Sequence, residues 1–398
     1  MRNILYIVPS DFGSLKKKGV VDMIKERDEG VFFDKVITLH PFTRSNKEIN
    51  LSNNNKIIEY GWKTDIDFLD KLFITKILGT IGILFKLAFI FPFVIKKEKI
   101  DIIRATDPYY MGLLGLYYSK IFKIPVVVSI HSDYDKRFIL DGSKGSFTIF
   151  GSRNLAKKLE KFVYKNVDKI LPIREYMRLN IISEFKIDEG KVEVFPHGVN
   201  FKEFDEVEFI DIYEKFGIDR SKKIISFVGR LSKENYIYHL IDIARKLKKL
   251  REDFVLLIVG GGNEYENVKN IVVEQYLDNV IYFTGFQNKE IVVNVRKQNY
   301  LALTLMGGFS LIEACAGARP VIAYDIEWHY ELVKNNETGF LIEENNIDEV
   351  VKKIIYLLDN PSIAEKLGKN ARELALKRHD MNNVIKIKQN IYEGILSK

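Results

Sequence analysis

Short apolar runs alternate with amphipathic stretches along most of this 398-residue chain, and this alternation limits the possible folds more than any other feature. Continuous runs of Val, Ile and Leu are typical of strands that are buried on both faces of a parallel sheet. Strands that alternate with helices indicate βαβ units and doubly wound sheets. The pattern therefore predicts an α/β fold.

Ten strands are predicted, five in each half of the chain. The runs are NILYIVPS, DKVITLHP, KIDIIRAT, KIPVVVSIH and VDKILPI, then KIISFVGRL, DFVLLIVGGG, NVIYFTGF, NYLALTLM and RPVIAYD. Helical periodicity between the runs is clearest over 238–250 and 347–358. Hydrophobic residues make up 46% of the sequence, which is enough to form packed cores.

The same pattern occurs twice, and the break between its two copies lies near residues 196–204. No long stretch rich in Pro, Ser or Gly separates the halves, so we expect closely joined domains. We predict a Rossmann-like domain over 1–200 and a second over 201–380. We also predict a C-terminal helix over 381–398 that packs back toward the first domain.

The single cysteine, Cys315, excludes an intrachain disulfide and a metal site built from several thiolates. That composition fits the reducing cytosol. The opening apolar run ends at Pro9, whereas a secretory signal needs roughly 7–15 apolar residues and a cleavage site. We therefore interpret the start as a first strand and expect a cytoplasmic protein.

Positive charge is concentrated in the first half of the chain. The first 200 residues carry 33 Lys and Arg against 24 Asp and Glu, and the remainder carry 28 against 30. Basic surfaces attract nucleic acids, anionic membranes or phosphorylated ligands. No nucleic-acid motif is present, so we expect no nucleic-acid partner and favour a membrane surface or an anionic acceptor. An ordinary solvated surface rich in lysine explains the same imbalance.

Residues 72–95 form a long apolar stretch, LFITKILGTIGILFKLAFIFPFVI. A transmembrane helix needs roughly 20 apolar residues, but Lys76 and Lys86 interrupt this stretch and Pro92 lies near its end. Placing Lys86 near the bilayer centre would cost about 3 kcal/mol. Two interpretations remain, a helix packed on the sheet and a helix that lies on the inner surface of a membrane.

A glycine and two cations follow the first strand of the second half, in the segment FVGRLSK. Gly229 allows a tight turn, and doubly wound sheets bind ligands at the carboxyl ends of their strands. Arg230 and Lys233 can hold a diphosphate there, because Arg contacts phosphate in a bidentate manner. A solvated loop after an internal strand is the alternative.

Two glycines precede a predicted helix in the segment MGGFSLIE. Backbone N–H groups near Gly307 and Gly308 can cradle phosphate oxygens at the helix start. Ser310 is a candidate N-cap, and Glu313 three residues later completes the pattern of a capping box. Glu313 has a second candidate role, which is to accept hydrogen bonds from a ribose diol.

Two further loops follow predicted strands. The glycine run at 260–262 is a weak signal by itself. His131 follows the strand VVVSI and would face a ligand at the strand ends, although a histidine without a function is the alternative. The D-x-D pairs at 133–135 and 65–67 have the spacing of a metal-binding motif, but no third ligand is evident. We therefore predict no metal and no other cofactor.

Taken together, these segments resemble the retaining family-4 glycosyltransferases. The resemblance covers most of the chain and is strongest over 222–360. There VGRLSKE, HLIDIARKL, LLIVGGG, NVIYFTGF, SLIEACAGARPVIAYD and ELVKNNETGFLI follow one another in the family's order. The first half is similar to the family through PSDFGS, VVVSIH and VEVFPHGVNFKEF. The order and spacing of these blocks make the resemblance specific.

The resemblance implies the GT-B architecture, in which two Rossmann-like domains face each other across a cleft. It implies that the second domain binds a nucleoside-diphosphate sugar and that the first binds the acceptor. Transfer would proceed with retention and without a metal. His131, Arg230 and Glu313 match positions near the transferred sugar, the leaving diphosphate and the ribose. The donor-binding positions implied are Gly13, Arg230, Lys233, Gly260, Gly261, Phe286, Gly307, Gly308, Phe309, Ser310 and Glu313.

Three positions depart from the family's pattern. The lysine that usually lies five residues after the arginine of VGR is Asn235 here, and Lys233 is the candidate substitute. The first glutamate of the family's pair, eight residues before the second, is Leu305 here. The glycine pair usual after the first strand is reduced to Gly13. These departures affect the contacts to the sugar more than the fold.

We predict a hexosyltransferase-type enzyme that moves a sugar from a nucleoside-diphosphate sugar to a glycan or lipid-linked acceptor. Such enzymes serve polysaccharide or glycolipid biosynthesis. Two alternatives remain. The first is a non-catalytic protein that binds nucleotide sugars or a protein partner, which Asn235 and Leu305 favour. The second is a nucleotide-sugar epimerase, because a fold does not determine a function.

Overall fold

A computed structural model of the chain describes residues 1–17, 21–43, 45–61, 73–144 and 146–397. The chain forms two compact units, Met1–Pro196 together with Ile385–Lys398, and His197–Val384. Each unit contains one predominantly parallel sheet and the helices that connect its strands. The prediction of an α/β fold with two Rossmann-like domains is confirmed.

The sheet of the first unit has seven strands in the order β3-β4-β2-β1-β5-β6-β7. The strands are β1 Asn3–Ile7, β2 Lys35–Thr43, β3 Lys47–Asn50, β4 Asn55–Gly61, β5 Ile102–Ala105, β6 Val126–Ile130 and β7 Lys169–Pro172. Strand β3 pairs antiparallel with β4 at one edge, and the other pairs are parallel. The strand order reverses between β1 and β5, which is the switch point of a doubly wound sheet.

Helices connect these strands. They are α1 Phe12–Lys17, α2 Val21–Lys25, α3 Phe73–Phe85, α4 Phe91–Lys97, α5 Tyr110–Phe122, α6 Tyr134–Asp141, α7 Arg153–Asn166 and α8 Glu175–Phe185. Single 3₁₀ turns lie at Glu26–Asp28, Gly142–Lys144 and Glu189–Lys191. Every residue of β1, β5 and β6 is buried, as expected for central strands covered on both faces.

The sheet of the second unit has six parallel strands in the order β10-β9-β8-β11-β12-β13. The strands are β8 Lys223–Val228, β9 Phe254–Val259, β10 Ile281–Gly285, β11 Leu301–Leu303, β12 Val321–Tyr324 and β13 Gly339–Ile342. This is the order of a Rossmann sheet, and its switch point lies between β8 and β11.

The first helix of the second unit begins at Lys202. The helices of this unit are α9 Lys202–Glu206, α10 Ile212–Phe216, α11 Ile237–Lys248, α12 Tyr265–Glu274, α13 Lys289–Gln298, α14 Phe309–Ala316, α15 Ile347–Asp359 and α16 Pro361–His379. Short 3₁₀ turns lie at Lys233–Asn235 and His329–Glu331. The last helix, α17 Met381–Leu396, passes from the second unit into the first at residue 385.

All ten predicted strands are present, and the helical patterns at 238–250 and 347–358 correspond to α11 and α15. Strands β3, β4 and β13 were not predicted. β3 is short and mostly exposed, so it lacks the apolar run on which the prediction depended.

The described part of the apolar stretch 72–95 is helical throughout, and Leu72 lies outside the described residues. α3 continues through a π-helical turn, Lys86–Ile90, into α4. Pro92 has no N–H to donate to the carbonyl of Ala88 four residues earlier. The hydroxyl of Tyr117 on α5 donates to that carbonyl at 3.2 Å. The irregular turn is therefore stabilised by the neighbouring helix.

One face of this segment packs on the sheet, and the opposite face is apolar and exposed. The buried side chains lie four residues apart, at Ile83, Leu87, Phe91 and Ile95. The exposed side chains include Leu78, Ile81, Leu84, Phe85, Phe89, Ile90 and Phe93. By length and composition, the 20 residues Leu78–Lys97 are long and apolar enough to cross a membrane. The interpretation as a helix packed on the sheet therefore holds for one face only.

Candidate functional site

Four loops meet at the carboxyl edge of the second sheet, where β10, β9, β8 and β11 lie side by side. The loops after β8 and β11 flank the switch point, where doubly wound sheets bind ligands. The loop after β8 carries Arg230, and the loop after β11 leads into α14. The structure thus brings the sequence-predicted donor residues of the second unit to one edge of one sheet.

Glycines allow the loops after β8 and β9 to pack backbone against backbone. A Cβ on Gly260 would lie 2.0 Å from the carbonyl oxygen of Gly229. A Cβ on Gly262 would lie 2.2 Å from that of Leu231. The N–H of Leu231 donates to the carbonyl of Gly261 at 3.0 Å. The glycine run therefore holds the cationic loop in place, a role that a motif search does not assign to it.

Phe286 lies beside these loops, immediately after β10. A Cβ on Gly261 would lie 2.6 Å from its ring, so glycine is needed for this close contact. The Phe286 side chain is 83% exposed. It offers a flat apolar surface at the mouth of the candidate site.

The two predicted phosphate ligands present exposed cationic groups. The guanidinium of Arg230 lies 3.6 Å from the carboxylate of Glu234. An exposed pair of this kind contributes little to stability, so an incoming phosphate can displace it at small cost. Lys233 is exposed at the start of the 3₁₀ turn. Asn235, at the end of that turn, directs its side chain back to the backbone of the same loop.

Helix α14 begins with glycine rather than with a side-chain cap. Gly308 is its N-cap and has no side chain that could cap the first turn. The prediction that Ser310 caps the helix in a capping box with Glu313 is wrong, because the helix already begins at Phe309. The N–H of Leu311 donates to the carbonyl of Gly308 at 3.3 Å. The N–H groups of Phe309 and Ser310 lie at the helix start, where a ligand can accept their hydrogen bonds. Leu305, expected within the strand, lies beyond β11 and is fully buried.

His329 holds the glycine loop in place and was not predicted from the sequence. Its Nδ1 lies 2.8 Å from the carbonyl of Tyr324, so Nδ1 donates and Nε2 is left as an acceptor. Nε2 accepts the N–H of Gly307 at 3.0 Å. A Cβ on Gly307 would lie 2.5 Å from the side chain of Thr304, so only glycine fits. No sequence spacing indicates this contact, which joins residues 22 positions apart.

Glu313 lies partly buried on α14, near the fully buried Arg296 of α13. Desolvation raises the pKa of the Glu313 carboxyl, and the charges of Arg296 and Lys289 oppose part of that shift. The Arg296 guanidinium donates to the carbonyl of Ser310 at 3.1 Å and ties the two helices together. Because capping does not explain Glu313, two candidate roles remain: it offsets the charge of the buried Arg296 guanidinium, and it accepts hydrogen bonds from a ligand.

In the first unit, His131 follows β6 at the carboxyl edge of the sheet. His131 is exposed to solvent. Desolvation by its surroundings, followed by repulsion from Arg104, Arg27 and Lys388, lowers its pKa below the ordinary value. The ring is therefore neutral at pH 7 and can form hydrogen bonds with a hydroxyl group without carrying charge. Arg104 is itself held by the hydroxyl of Tyr392, to which it donates at 2.9 Å.

The D-x-D pair after His131 has structural roles. The Asp133 carboxylate caps α6 by accepting two backbone N–H groups at 3.0 Å. Asp135 forms an ion pair with Arg153 at 2.9 Å. The other pair, 65–67, lies outside the described residues. Within the ranges that the structure describes, no group of three or more His, Cys, Asp or Glu residues is arranged to hold a metal ion.

Gly13 lies in α1, a short exposed helix after β1. The Asp11 carboxylate accepts the N–H of Ser14 at 2.9 Å, and the buried Glu59 accepts the N–H of Phe12 at 2.5 Å. These bonds fix the loop that follows β1. Gly13 therefore occupies the carboxyl edge of the first sheet, near that sheet's switch point.

Comparison with known proteins agrees with this arrangement. The sequence profile of the glycosyl transferases group 1 family matches residues 209–374, and that of glycosyltransferase family 4 matches residues 71–203. The fold and the loops at its sheet edge define a GT-B glycosyltransferase. The two profiles together cover most of the chain, which belongs to the group 1 glycosyltransferases.

Three similar proteins illustrate the relationship. The UDP-Gal:α-D-GlcNAc-diphosphoundecaprenol α-1,3-galactosyltransferase of Escherichia coli is 26% identical over 315 residues, covering 76% of this chain and 78% of that enzyme. The α-monoglucosyldiacylglycerol synthase of Acholeplasma laidlawii is 24% identical over 314 residues, covering 76% of this chain and 77% of that enzyme. The structure of Anabaena HepE in complex with UDP matches with a TM-score of 0.71 and 15% identity, covering 100% of both chains.

Proposed function

We propose that this glycosyltransferase transfers a sugar from a nucleoside-diphosphate donor to a glycan or lipid-linked acceptor with retention of anomeric configuration. The observation that carries the proposal is the meeting of an exposed cationic loop and an uncapped helix start at the switch point of the second sheet. A diphosphate needs both, because cations neutralise its charge and backbone N–H groups bind its oxygens.

The donor is held by the second unit. Arg230 and Lys233 bind the diphosphate together with the N–H groups of α14, and they stabilise the charge that develops on the leaving group. Glu313 accepts hydrogen bonds from the ribose. These cations and backbone donors supply the charge stabilisation that a metal ion provides in other enzymes, so we propose a metal-independent reaction. HepE, solved with UDP, supports a uridine nucleotide as the first donor to test.

The acceptor is held by the first unit, where His131 lies at the carboxyl edge of the sheet. Its neutral ring suits a hydrogen bond to a hydroxyl group of the transferred sugar. The relatives from E. coli and A. laidlawii carry the names of a diphosphoundecaprenol-dependent enzyme and a diacylglycerol glycolipid synthase, which supports polysaccharide or glycolipid synthesis.

We further propose that the protein lies on the inner surface of a membrane through the segment 73–97. The support is the row of exposed apolar side chains along α3 and α4, since large exposed apolar patches mark interaction surfaces. Exposed lysines at Lys96, Lys97 and Lys99 follow this row and would contact anionic headgroups.

Product analysis tests the proposal. The purified protein is incubated with a panel of sugar nucleotides and with crude membrane lipid or water as acceptor, with and without a chelator. We expect an α-linked product from an α-linked donor, seen by NMR of the anomeric proton, and equal turnover with the chelator. An isomerised donor without a glycosylated product would indicate an epimerase. Absence of donor binding at millimolar concentration would contradict the proposal entirely.

A further inference from the structure

An amphipathic cavity of about 890 Å³ lies in the first unit, at the carboxyl edge of its sheet. The loop after β1 and the last residues of β2 form one side, and α3 and the start of α5 form the other. Pro41, Phe42, Leu84 and Met111 supply apolar walls, whereas Ser10 and Asp11 supply a polar end. The volume is that of a cavity that takes a substantial organic ligand.

The cavity is continuous with the exposed apolar face of the helical segment. Leu84 lines the cavity and is also 52% exposed on the row of apolar side chains along α3 and α4. Tyr110, at the start of α5, lines it as well and is 59% exposed. An apolar chain that leaves a lipid surface at this face therefore reaches the cavity without crossing open water.

The backbone of one residue in the cavity wall, Phe42, is strained. Phe42 has φ of +61°, in the left-handed region that a bulky aromatic residue rarely adopts. It lies within an irregularity in the pairing of β2 with β4, between His40 and Thr43. Strained residues of this kind persist where surrounding structure enforces them, and they are concentrated at ligand sites. Here the strain accompanies an aromatic side chain that lines the cavity.

From these observations we infer that the cavity binds the hydrocarbon chain of a lipid-linked acceptor, with the acceptor's hydroxylated head at the polar end near Ser10 and Asp11. The inference rests on the proposed function and narrows its acceptor class from glycans in general to lipid-linked ones. The cavity lies beside the switch point between β1 and β5, where a bound chain would bring its head group to the ligand-binding edge of the sheet.

Binding of defined alkyl glucosides tests the inference without any need for turnover. Dodecyl glucoside, used below its micelle concentration, and butyl glucoside share a head group and differ only in chain length. Calorimetry should show binding of the dodecyl compound at least about tenfold tighter than that of the butyl compound, since each buried methylene contributes. Equal affinities, or no binding of either compound, would overturn the inference.

A matched pair of variants locates the site. Phe42→Asn replaces a cavity wall by a polar residue that tolerates the left-handed backbone, so the fold should be kept. Phe209→Asn makes the same change in the second unit, outside the cavity lining, where the side chain is 71% exposed. We expect Phe42→Asn to weaken dodecyl glucoside binding about tenfold and Phe209→Asn to leave it unchanged. An unchanged affinity in Phe42→Asn would refute the cavity as the site.

Transfer assays separate this inference from the proposed function. If the inference holds, Phe42→Asn binds the sugar nucleotide normally but loses transfer to membrane lipid. If wild-type protein glycosylates a water-soluble glycan as well as it does lipid, and Phe42→Asn does the same, the acceptor inference fails while the proposed function stands. If no sugar nucleotide binds to wild-type protein, the proposed function itself fails.

Discussion

The side-chain amide of Asn235 donates a hydrogen bond to the backbone carbonyl of Arg230 at 2.7 Å. This bond closes the loop that carries the cationic residues, across the 3₁₀ turn that contains Lys233. The position at which similar enzymes carry a lysine is therefore used here to shape the loop. In the proposed function, the phosphate-binding cation is therefore Lys233, two residues earlier.

The first prediction concerns Asn235 at the usual lysine position and Lys233 as the substitute cation. Lys233→Ala should weaken binding of UDP and turnover by at least about tenfold, because a charge-assisted phosphate contact is worth roughly 1.5–3 kcal/mol. Asn235→Lys adds a cation but loses a hydrogen bond worth about 1 kcal/mol, so it should be tolerated and should partly rescue Lys233→Ala. Lys249→Ala, at an exposed lysine directly after α11, is the control. Normal turnover in Lys233→Ala would show that another group binds the phosphates.

Arg230→Ala should lower the affinity for UDP by roughly tenfold to a hundredfold, since it removes a bidentate phosphate contact. Stability should change little, because the ion pair of Arg230 with Glu234 is exposed. Calorimetric titration with UDP measures the effect, and Arg245→Ala, in an exposed pair with Asp242, provides a matched control. An unchanged affinity in a folded Arg230→Ala variant would remove its phosphate role.

Glu313→Gln should reduce donor affinity without loss of stability. The amide keeps the shape of the carboxyl but not the charge that strengthens bonds from ribose hydroxyls. Because the pKa of Glu313 is raised in the folded protein, ionisation of its carboxyl lowers the free energy of unfolding. This loss grows as the pH rises through and above the ordinary pKa of a glutamate. The melting temperature of Glu313→Gln should therefore match wild type in acid and exceed it at pH 8. A lower melting temperature with normal donor binding would indicate a structural role instead.

Asp107, in the loop after β5, offers a second pH test. Desolvation raises the pKa of its carboxyl to about 6, although backbone N–H groups of Tyr109 and Met111 oppose the shift. The folded protein therefore holds a proton between about pH 4 and pH 6 that the unfolded chain releases, and stability falls as pH rises across this window. Asp107→Asn should remove that fall and raise stability at pH 7 by about 1–2 kcal/mol. Denaturant titrations at pH 4.5 and pH 7 measure the free energy of unfolding. An equal change between the two pH values in wild type and variant would contradict this prediction.

Membrane binding should depend on the apolar helix face and on salt. Phe89→Asp combined with Phe93→Asp should reduce co-sedimentation with anionic vesicles by tenfold or more, because each removes an aromatic side chain worth about 1.5–3 kcal/mol on burial. Phe209→Asp, on an equally exposed phenylalanine of the second unit, should not. Binding should weaken at high salt, which screens the lysines. Equal recovery in the supernatant with and without vesicles would contradict membrane association.

The fold was largely predictable because most strands are buried on both faces. Such strands leave continuous apolar runs, and all ten of those runs are strands in the structure. Strand β3 could not be found in this way, since it is an edge strand whose side chains are mostly exposed. The sequence could not show whether the helical segment 73–97 packs on the sheet or lies on a membrane surface, because apolar residues cover its buried and its exposed sides alike.

The candidate site was predictable where loops follow strands directly. Arg230, Lys233 and the glycines before α14 could be placed because parallel strands all present their carboxyl ends at one edge. The predicted start of α14 was wrong by two residues, since Gly308 rather than Ser310 is the N-cap. His329 and Arg296 support the site through tertiary contacts with Gly307 and Ser310, and no local pattern encodes such contacts.

Residues 385–398 belong to the unit that begins at Met1, so this unit is completed by a segment that is synthesised after the whole of the second unit. Until it arrives, the buried guanidinium of Arg104 lacks Tyr392, and the ring of Phe33 lacks its neighbour 4.8 Å away. The second unit is continuous in the chain and can fold during synthesis. A chain that stops at Val384 should therefore resist protease only over 197–384, whereas a full-length chain should resist over both units.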